Sequence, residues 1–319
     1  MKYSLMTLMI QDEIKVKKPS FIQKIIMRSM GYDGPEPEEA EEFYQFMNSR
    51  GIPAQNGTMT FRDVVKFAKD KGFDGVDAMS FHFEEDGETA RQILEEFDIP
   101  LTAVNIIAPF SGADTEEQFQ GVLAEVTEVM DRAYTAGCRN ILLMPTGYVP
   151  DPGQTREQVY QNMVKGLRAG VAYGQKIGLT VNTETLESVG VPLCSNGEML
   201  RLFADVPGLK YTHDTGNPIV AMEDPIATYE LLRDRLANVH FKDLEFTEEK
   251  TEMMNPVGRY FARAVLGEGE IDFKKHLELL KRDDYQGYIT IEGQRPADNQ
   301  LDSAIAALSY FRNLEKELN

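Results

Sequence analysis

The chain has 319 residues, is 42% hydrophobic, and carries 52 acidic against 33 basic side chains for a formal net charge of −19. That length and apolar content suffice for a barrel-sized core, while the acidic balance speaks against nucleic acid and against an anionic membrane surface as partners. Only Cys138 and Cys194 occur, so neither a disulfide framework nor a thiolate zinc cluster is expected, and the chain reads as a cytoplasmic protein with no leader and no membrane span.

Taken in order, short strand-like runs fall at residues 3–10, 75–80, 100–106, 140–145, 179–184, 209–214, 237–242 and 287–292. Helical patterns with an apolar stripe fall at 61–71, 88–97, 115–136, 155–177, 196–205, 224–236, 272–282 and 301–317. Thr115, Thr155, Asn196 and Asp272 stand where helix N-caps belong. Eight strand–helix units predict an α/β fold, one (β/α)8 TIM barrel domain over residues 1–319, because right-handed crossovers with short links leave few other parallel arrangements. A doubly wound open sheet is the alternative. No Gly-rich phosphate fingerprint follows the first strand, so no nucleotide cofactor is expected.

Two connections exceed ordinary loop length, 11–58 after the first strand and 244–270 after the seventh. Both run from strand to helix and must emerge on the catalytic face of a barrel. Within the first, FIQKIIMRSM offers Phe21, Ile22, Ile25, Ile26 and Met30 as a stripe that needs cover. Residues 11–58 are therefore read as an insertion forming a lid or an oligomer contact, with a solvated acidic loop as the alternative.

The ends of the last four strands share a pattern that periodicity does not require. LTVNTE ends at Glu184, LKYTHD at Asp214, ANVHF carries His240, and GYITIE ends at Glu292. Three carboxylates converging on one barrel mouth would repel each other unless a cation neutralised them, so the set predicts a divalent metal held by Glu184, Asp214, His240 and Glu292. An oxygen-rich set with one nitrogen suits manganese or magnesium better than structural zinc. His213 points away from Asp214 by strand alternation and is assigned to packing outside the mouth, while His276, on a helix, is read as solvated.

GLTVNTETLE, YTHDTGNP, NVHFKDLE and LGEGEIDFKKHLELLKRDDYQGYITIEG resemble, in order and spacing, the second half of the xylose-isomerase-like barrel superfamily, also called the sugar phosphate isomerase/epimerase family. FRDVVKFAKDKGFDGVDAM resembles its first-helix and second-strand block, and residues 11–58 have no counterpart there. The resemblance implies that Glu184, Asp214, His240 and Glu292 match the metal ligands of the ketose 3-epimerase branch, around one ion, Mn2+ with Mg2+, Co2+ or Zn2+ as alternatives, holding two adjacent sugar oxygens. Many relatives place a histidine three residues after the aspartate, where this chain has Asn217, read here as a polar substrate contact. The endonuclease branch needs several more histidines than the four present to hold three zinc ions.

A metal chelated by a carbonyl and its neighbouring hydroxyl acidifies the C–H between them. Glu184 and Glu292 are read as ligands that also exchange protons, which gives an isomerase or epimerase. Lys242, on the same side of the strand as His240, would neutralise the oxygen that gains charge; a surface lysine is the alternative. His82 follows the second strand as a further base or substrate contact. Glu187 and Arg295, after the fifth and eighth strands, are placed to bind hydroxyls or a carboxylate, and Asn105 and Tyr148 are similarly placed. The rival reaction is a lyase on a keto sugar, as in the dehydratase relatives or the carbon-glycoside-cleaving subunits of complexes. The rival outside enzymes is a sugar-binding or scaffold protein with lost turnover. The expected partners are a small-molecule sugar and a second copy of the chain, with a different subunit over the mouth as the alternative.

Overall fold

In the computed structural model, residues 1–52, 54–146, 153–251, 253–293 and 299–318 are described. Strand β1 (Lys2–Met6) is followed by a turn of 3-10 helix (Thr7–Glu13), then α1 (Phe21–Ser29), α2 (Ala40–Ser49) and α3 (Phe61–Lys71). Next come β2 (Gly75–Met79), α4 (Gly87–Phe97), β3 (Leu101–Ile107), α5 (Glu116–Thr135), β4 (Asn140–Met144) and α6 (Arg156–Ile177). The second half holds β5 (Thr180–Thr183), α7 (Asn196–Asp205), β6 (Lys210–Asp214), α8 (Asn217–Val220), α9 (Pro225–Leu232) and β7 (Leu236–Phe241). It closes with β8 (Leu244–Thr247), β9 (Tyr260–Arg263), α10 (Phe273–Arg282), β10 (Tyr288–Ile291) and α11 (Gln300–Glu317). The parallel strands close in the order β1-β10-β7-β6-β5-β4-β3-β2, and β8 and β9 pair separately as an antiparallel ribbon. The predicted (β/α)8 barrel is thus the fold.

Alternation along the strands sorts the residues into two interiors. Leu5, Val76, Val104, Ile141, Val181, Val239, Phe241 and Ile289 turn outward and belong to the apolar layer beneath the helices. The Phe311 ring of α11 lies tilted at 5.1 Å from Phe241 and edge-on at 5.0 Å from Phe273 in that layer; truncating such a buried ring costs about 3–5 kcal/mol. The other register fills the barrel with buried polar side chains. Ser4 meets Thr102 at 2.7 Å, Asn182 donates to Asn140 at 2.6 Å, Thr212 donates to Asn182, and Thr290 donates to Asp77 at 2.7 Å. Buried polar groups are tolerated only when paired in this way.

The first strand stops earlier than the apolar run suggested, at Met6. Thr7 is fully buried and its hydroxyl accepts the Met79 N–H at 2.9 Å, which turns the chain over the barrel rim. Ser195 caps α7 through its hydroxyl, with the expected cap Asn196 as the first helical residue. Thr115, Thr155 and Asp272 cap their helices as expected.

The 11–58 segment closes on itself at its base. Lys15 donates its N–H to Met59 O at 2.8 Å, Met59 to Glu13 O at 2.8 Å, and Gly57 to Ile14 O at 3.0 Å. A Cβ at Gly57 would lie 2.0 Å from the Glu13 carbonyl carbon, so only glycine allows this approach. Helix α1 starts at a reciprocal Ser20–Gln23 capping box, and the expected apolar stripe needs correcting. Gln23 and Met27 are the buried residues, while Ile25, Ile26 and Met30 are only partly covered. Residues four apart lie on one face, and adjacent isoleucines cannot both take its centre. The side chains of Phe21 and Ile22 lie outside the described residues. The segment borders a cleft of about 660 Å3 together with Ser80, Phe81, Ile107 and Val129, at the rim where β2 and β3 end. Among the described residues no helix is long and apolar enough to cross a membrane.

Candidate metal centre

The second half of the barrel brings Glu184, Asp214, His240 and Glu292 together, with one ligand atom from each lying within 4.8 Å of every other. All four occupy the inward register, Glu184 and Glu292 just past the ends of β5 and β10, Asp214 at the end of β6, and His240 within β7. Glu292 continues the sheet by donating its N–H to Phe241 O at 3.0 Å. In the DTGN stretch, Asp214 Oδ1 accepts the N–H groups of Gly216 at 2.9 Å and Asn217 at 2.7 Å. This Asx-type turn fixes the carboxylate and starts α8. Its other oxygen, Oδ2, is left facing the cluster.

The donor set fits a divalent cation. Glu184 Oε2 and Asp214 Oδ2 are buried with no hydrogen-bond partner, and a buried unpaired carboxylate oxygen costs free energy that a coordinated cation would offset. The nearest positive charge to Asp214 Oδ2 is the Lys242 ammonium at 3.2 Å. His240 presents Nδ1 to the carboxylates, 2.8 Å from Glu292 Oε2 and 3.5 Å from Glu184 Oε2.

Lys242 is buried, not a surface lysine. Its Nζ lies 2.9 Å from Glu292 Oε1, 3.1 Å from Asn217 Oδ1 and 3.4 Å from Glu187 Oε2. A Cβ at Gly216 would stand 3.1 Å from its Cγ, so glycine there leaves room for the stem. The two glutamates are driven apart electrostatically. Burial, then the neighbouring Glu292 and Asp214 carboxylates, push the Glu184 carboxyl up to about 8. Burial also opposes ionisation of Glu292, but the Lys242 ammonium and the His240 ring outweigh it and hold its carboxyl well below the usual range.

Glu187 and Asn217 border this cluster through Lys242. Asn217 donates from Nδ2 to Thr185 O at 2.7 Å. Glu187 also accepts from Arg263 Nη2 at 3.2 and 3.3 Å, and Arg263 Nη1 stands 3.8 Å from Glu292 Oε1. Arg263 is not among the sequence candidates; it arrives from β9, in the part of the 244–270 connection between the NVHFKDLE and LGEGEIDF stretches. Its placement depends on Asp243, whose carboxylate accepts the N–H groups of Gly267, Gly269 and Ile271 and so pins the return of that connection.

His82 is buried against Thr7, Nδ1 to Oγ1 at 3.0 Å, and burial pushes its imidazole down to about 3. Asn105 is fully buried inside the barrel, where its amide donates to Asp77. Arg295 and Tyr148 lie outside the described residues. His213 packs outside the mouth as expected, but His276 is buried, its ring 5.3 Å from that of His213. It falls on the stripe that Phe273, Leu277 and Leu280 bury, so the apolar face of α10 takes it inward.

The family model described as "Xylose isomerase-like TIM barrel" matches residues 65–314. An inosose dehydratase of Lacticaseibacillus casei is 20% identical over 277 residues, covering 82% of this chain and 91% of that protein. Two solved structures share the fold: the probable 3-DHS dehydratase AsbF of Bacillus anthracis (TM-score 0.68, 16% identity, 98% and 99% of the two chains) and the apo form of the 3-keto-D-glucoside 4-epimerase YcjR of E. coli (TM-score 0.62, 19% identity, 80% and 95%). A buried acid and imidazole cluster at the mouth, the closed barrel and a family match over most of the chain agree. The chain belongs to the xylose isomerase-like TIM barrel family.

Proposed function

We propose that this protein is a divalent-metal-dependent isomerase or epimerase of a sugar or sugar derivative, working by proton transfer at a carbon next to a carbonyl. The observation that carries the reading is the buried cluster of Glu184, Asp214, His240 and Glu292 with a lysine ammonium inside it. The oxygen-rich donor set favours Mn2+, with Mg2+, Co2+ or Zn2+ as alternatives. When bound, the cation would supply Lewis acidity that makes the C–H beside the carbonyl easier to ionise.

The chain's own groups then divide the work. Glu184 and Glu292, on β5 and β10, approach the mouth from different strands, so one takes the proton and the other returns it. Lys242 donates to the oxygen that gains negative charge, from a site dry enough to strengthen that contact. Glu187, Asn217 and Arg263 offer acceptors and donors for the more distant hydroxyls. Residues 11–58 would narrow the mouth as a lid or contact a second subunit, and the protein would work in the cytoplasm. Replacing that segment with a short Gly-Ser bridge should raise KM or change oligomer size with metal content kept; unaltered kinetics and sedimentation would remove both roles.

The inosose dehydratase likeness across 82% of the chain supports a second reading, in which the same proton abstraction ends in loss of water from the adjacent carbon. Incubation of candidate keto sugars in heavy water separates the readings. Epimerisation leaves the product's mass unchanged apart from deuterium at the proton-transfer carbon, whereas a lyase product is lighter by one water. Glutamine at Glu184 or Glu292 should suppress deuterium uptake, and unchanged uptake in both variants would remove the glutamates from the mechanism.

A further inference from the structure

We propose that Asp77 is a positioning residue for the metal centre, accepting the Nε2–H of His240 from inside the barrel and so fixing the tautomer that offers Nδ1 to the cation. The inference rests on the metal reading and assigns a role to a residue outside the four ligands. Asp77 lies in the middle of β2 and is fully buried. The barrel order β2-β1-β10-β7 puts two strands between it and His240, so their contact crosses the interior. Its Oδ2 stands 3.5 Å from His240 Nε2.

The two ring nitrogens face different surroundings. Nδ1 looks at Glu292 and Glu184, and a metal there requires its lone pair, so the ring's single proton must sit on Nε2. A buried carboxylate behind a ligating histidine holds that proton in place and keeps the ring from turning. Asp77 is itself held firmly enough to act. Thr290 donates to Oδ2 at 2.7 Å, Asn238 Nδ2 approaches the same oxygen at 3.5 Å, and Asn105 donates to Oδ1. Asn238 Nδ2 also lies 3.1 Å from His240 Nε2. Turning that amide over exchanges its oxygen and nitrogen, so that it becomes a second, neutral acceptor for the same proton and gives up its approach to Asp77, which Thr290 and Asn105 still hold.

The test uses the full chain stripped of metal and titrated calorimetrically with Mn2+, together with long-range proton–nitrogen spectra of Zn2+-loaded protein labelled at its four histidines. In the parent, the signal absent from His240→Gln should show an unprotonated Nδ1 and a slowly exchanging Nε2–H. Asp77→Ala should weaken Mn2+ binding by about 10–100-fold and let that proton exchange quickly. Asp77→Asn preserves shape and one acceptor, carries the test if the alanine variant does not fold, and should lose about tenfold. Mn2+ affinity within twofold of the parent and a still-protected proton in folded Asp77→Asn would overturn the proposal. A tenfold loss in Asn238→Ala with none in Asp77→Asn would hand the role to Asn238 and overturn it equally. Full Mn2+ binding in His240→Ala would instead sink the metal reading itself.

Discussion

Asp243 gives the sharpest test of how the site is held, because its effect on stability and on the arm carrying Arg263 can be worked from three hydrogen bonds. Oδ2 accepts from Gly267 at 2.9 Å and Gly269 at 3.0 Å, and Oδ1 from Ile271 at 3.2 Å. In Asp243→Asn the amide oxygen can keep the glycine pair, but the amide nitrogen then faces the Ile271 N–H, donor against donor. One buried N–H left unpaired costs about 1–3 kcal/mol, and replacing a charged acceptor by a neutral one weakens the other two bonds by roughly 0.5–1 kcal/mol each. Burial raises the Asp243 carboxyl against the pull of these N–H groups, so part of their strength is already spent on desolvation and the lower half of the range is expected, about 2–3.5 kcal/mol. With an unfolding entropy of about 2.1 cal/mol/K per residue, a chain this long should lose roughly 3–5 °C in Tm. The chain has no tryptophan, so scanning calorimetry or circular dichroism is the assay. Metal content should stay at the parent level while KM rises, because β9 loses its anchor and Arg263 its register on Glu187. A Tm within about 1 °C of the parent and an unchanged KM would refute the pinning argument.

Two further outcomes follow. Lys242→Met should keep its metal while kcat falls about 100–1000-fold, the range for losing one donor to a developing oxyanion; a kcat within threefold of the parent would place the lysine outside the chemistry. His82, pushed down to about 3 by burial, binds fewer protons folded than unfolded at acidic pH. Its contribution is therefore complete above the unfolded value near 6.5 and lost as the pH falls below it, at up to about 1.4 kcal/mol per pH unit. His82→Gln should flatten the acid side of the Tm–pH curve by about 2 °C per unit, and a slope equal to the parent's would show the ring to be solvated in the folded state.

The barrel was legible because buried parallel strands read as apolar runs set between amphipathic helices, and each such run became a strand. The cluster of Glu184, Asp214, His240 and Glu292 was legible because its carboxylates stand at or just past strand ends, where an acid has no packing reason to recur. Asp77 escaped the same rule. It lies mid-strand, where an acid reads as an anomaly of the core, and its partner His240 is some 160 residues away in sequence. Arg263 escaped because the ribbon of β8 and β9 has short strands and exposed residues such as Phe246, which dilute the alternation that marks a strand. For His276 the signal was present and misweighed. Its place on a helix was read as solvent-facing, but the three- and four-residue spacing to Phe273 and Leu280 places it on the buried stripe.

The stem at the base of residues 15–58 makes the excursion separable from the barrel. Because Glu13 and Ile14 are stitched to Gly57, Thr58 and Met59, the excursion between them leaves and re-enters the barrel at one point. The closure entropy of a loop grows only slowly with its length, so residues could be added to or removed from this excursion with little effect on the registration of β1 or α3. Such a stem makes the segment an exchangeable cassette. The acid and imidazole cluster of β5 to β10 can stay fixed while the surface bordering the cleft at the ends of β2 and β3 is rewritten.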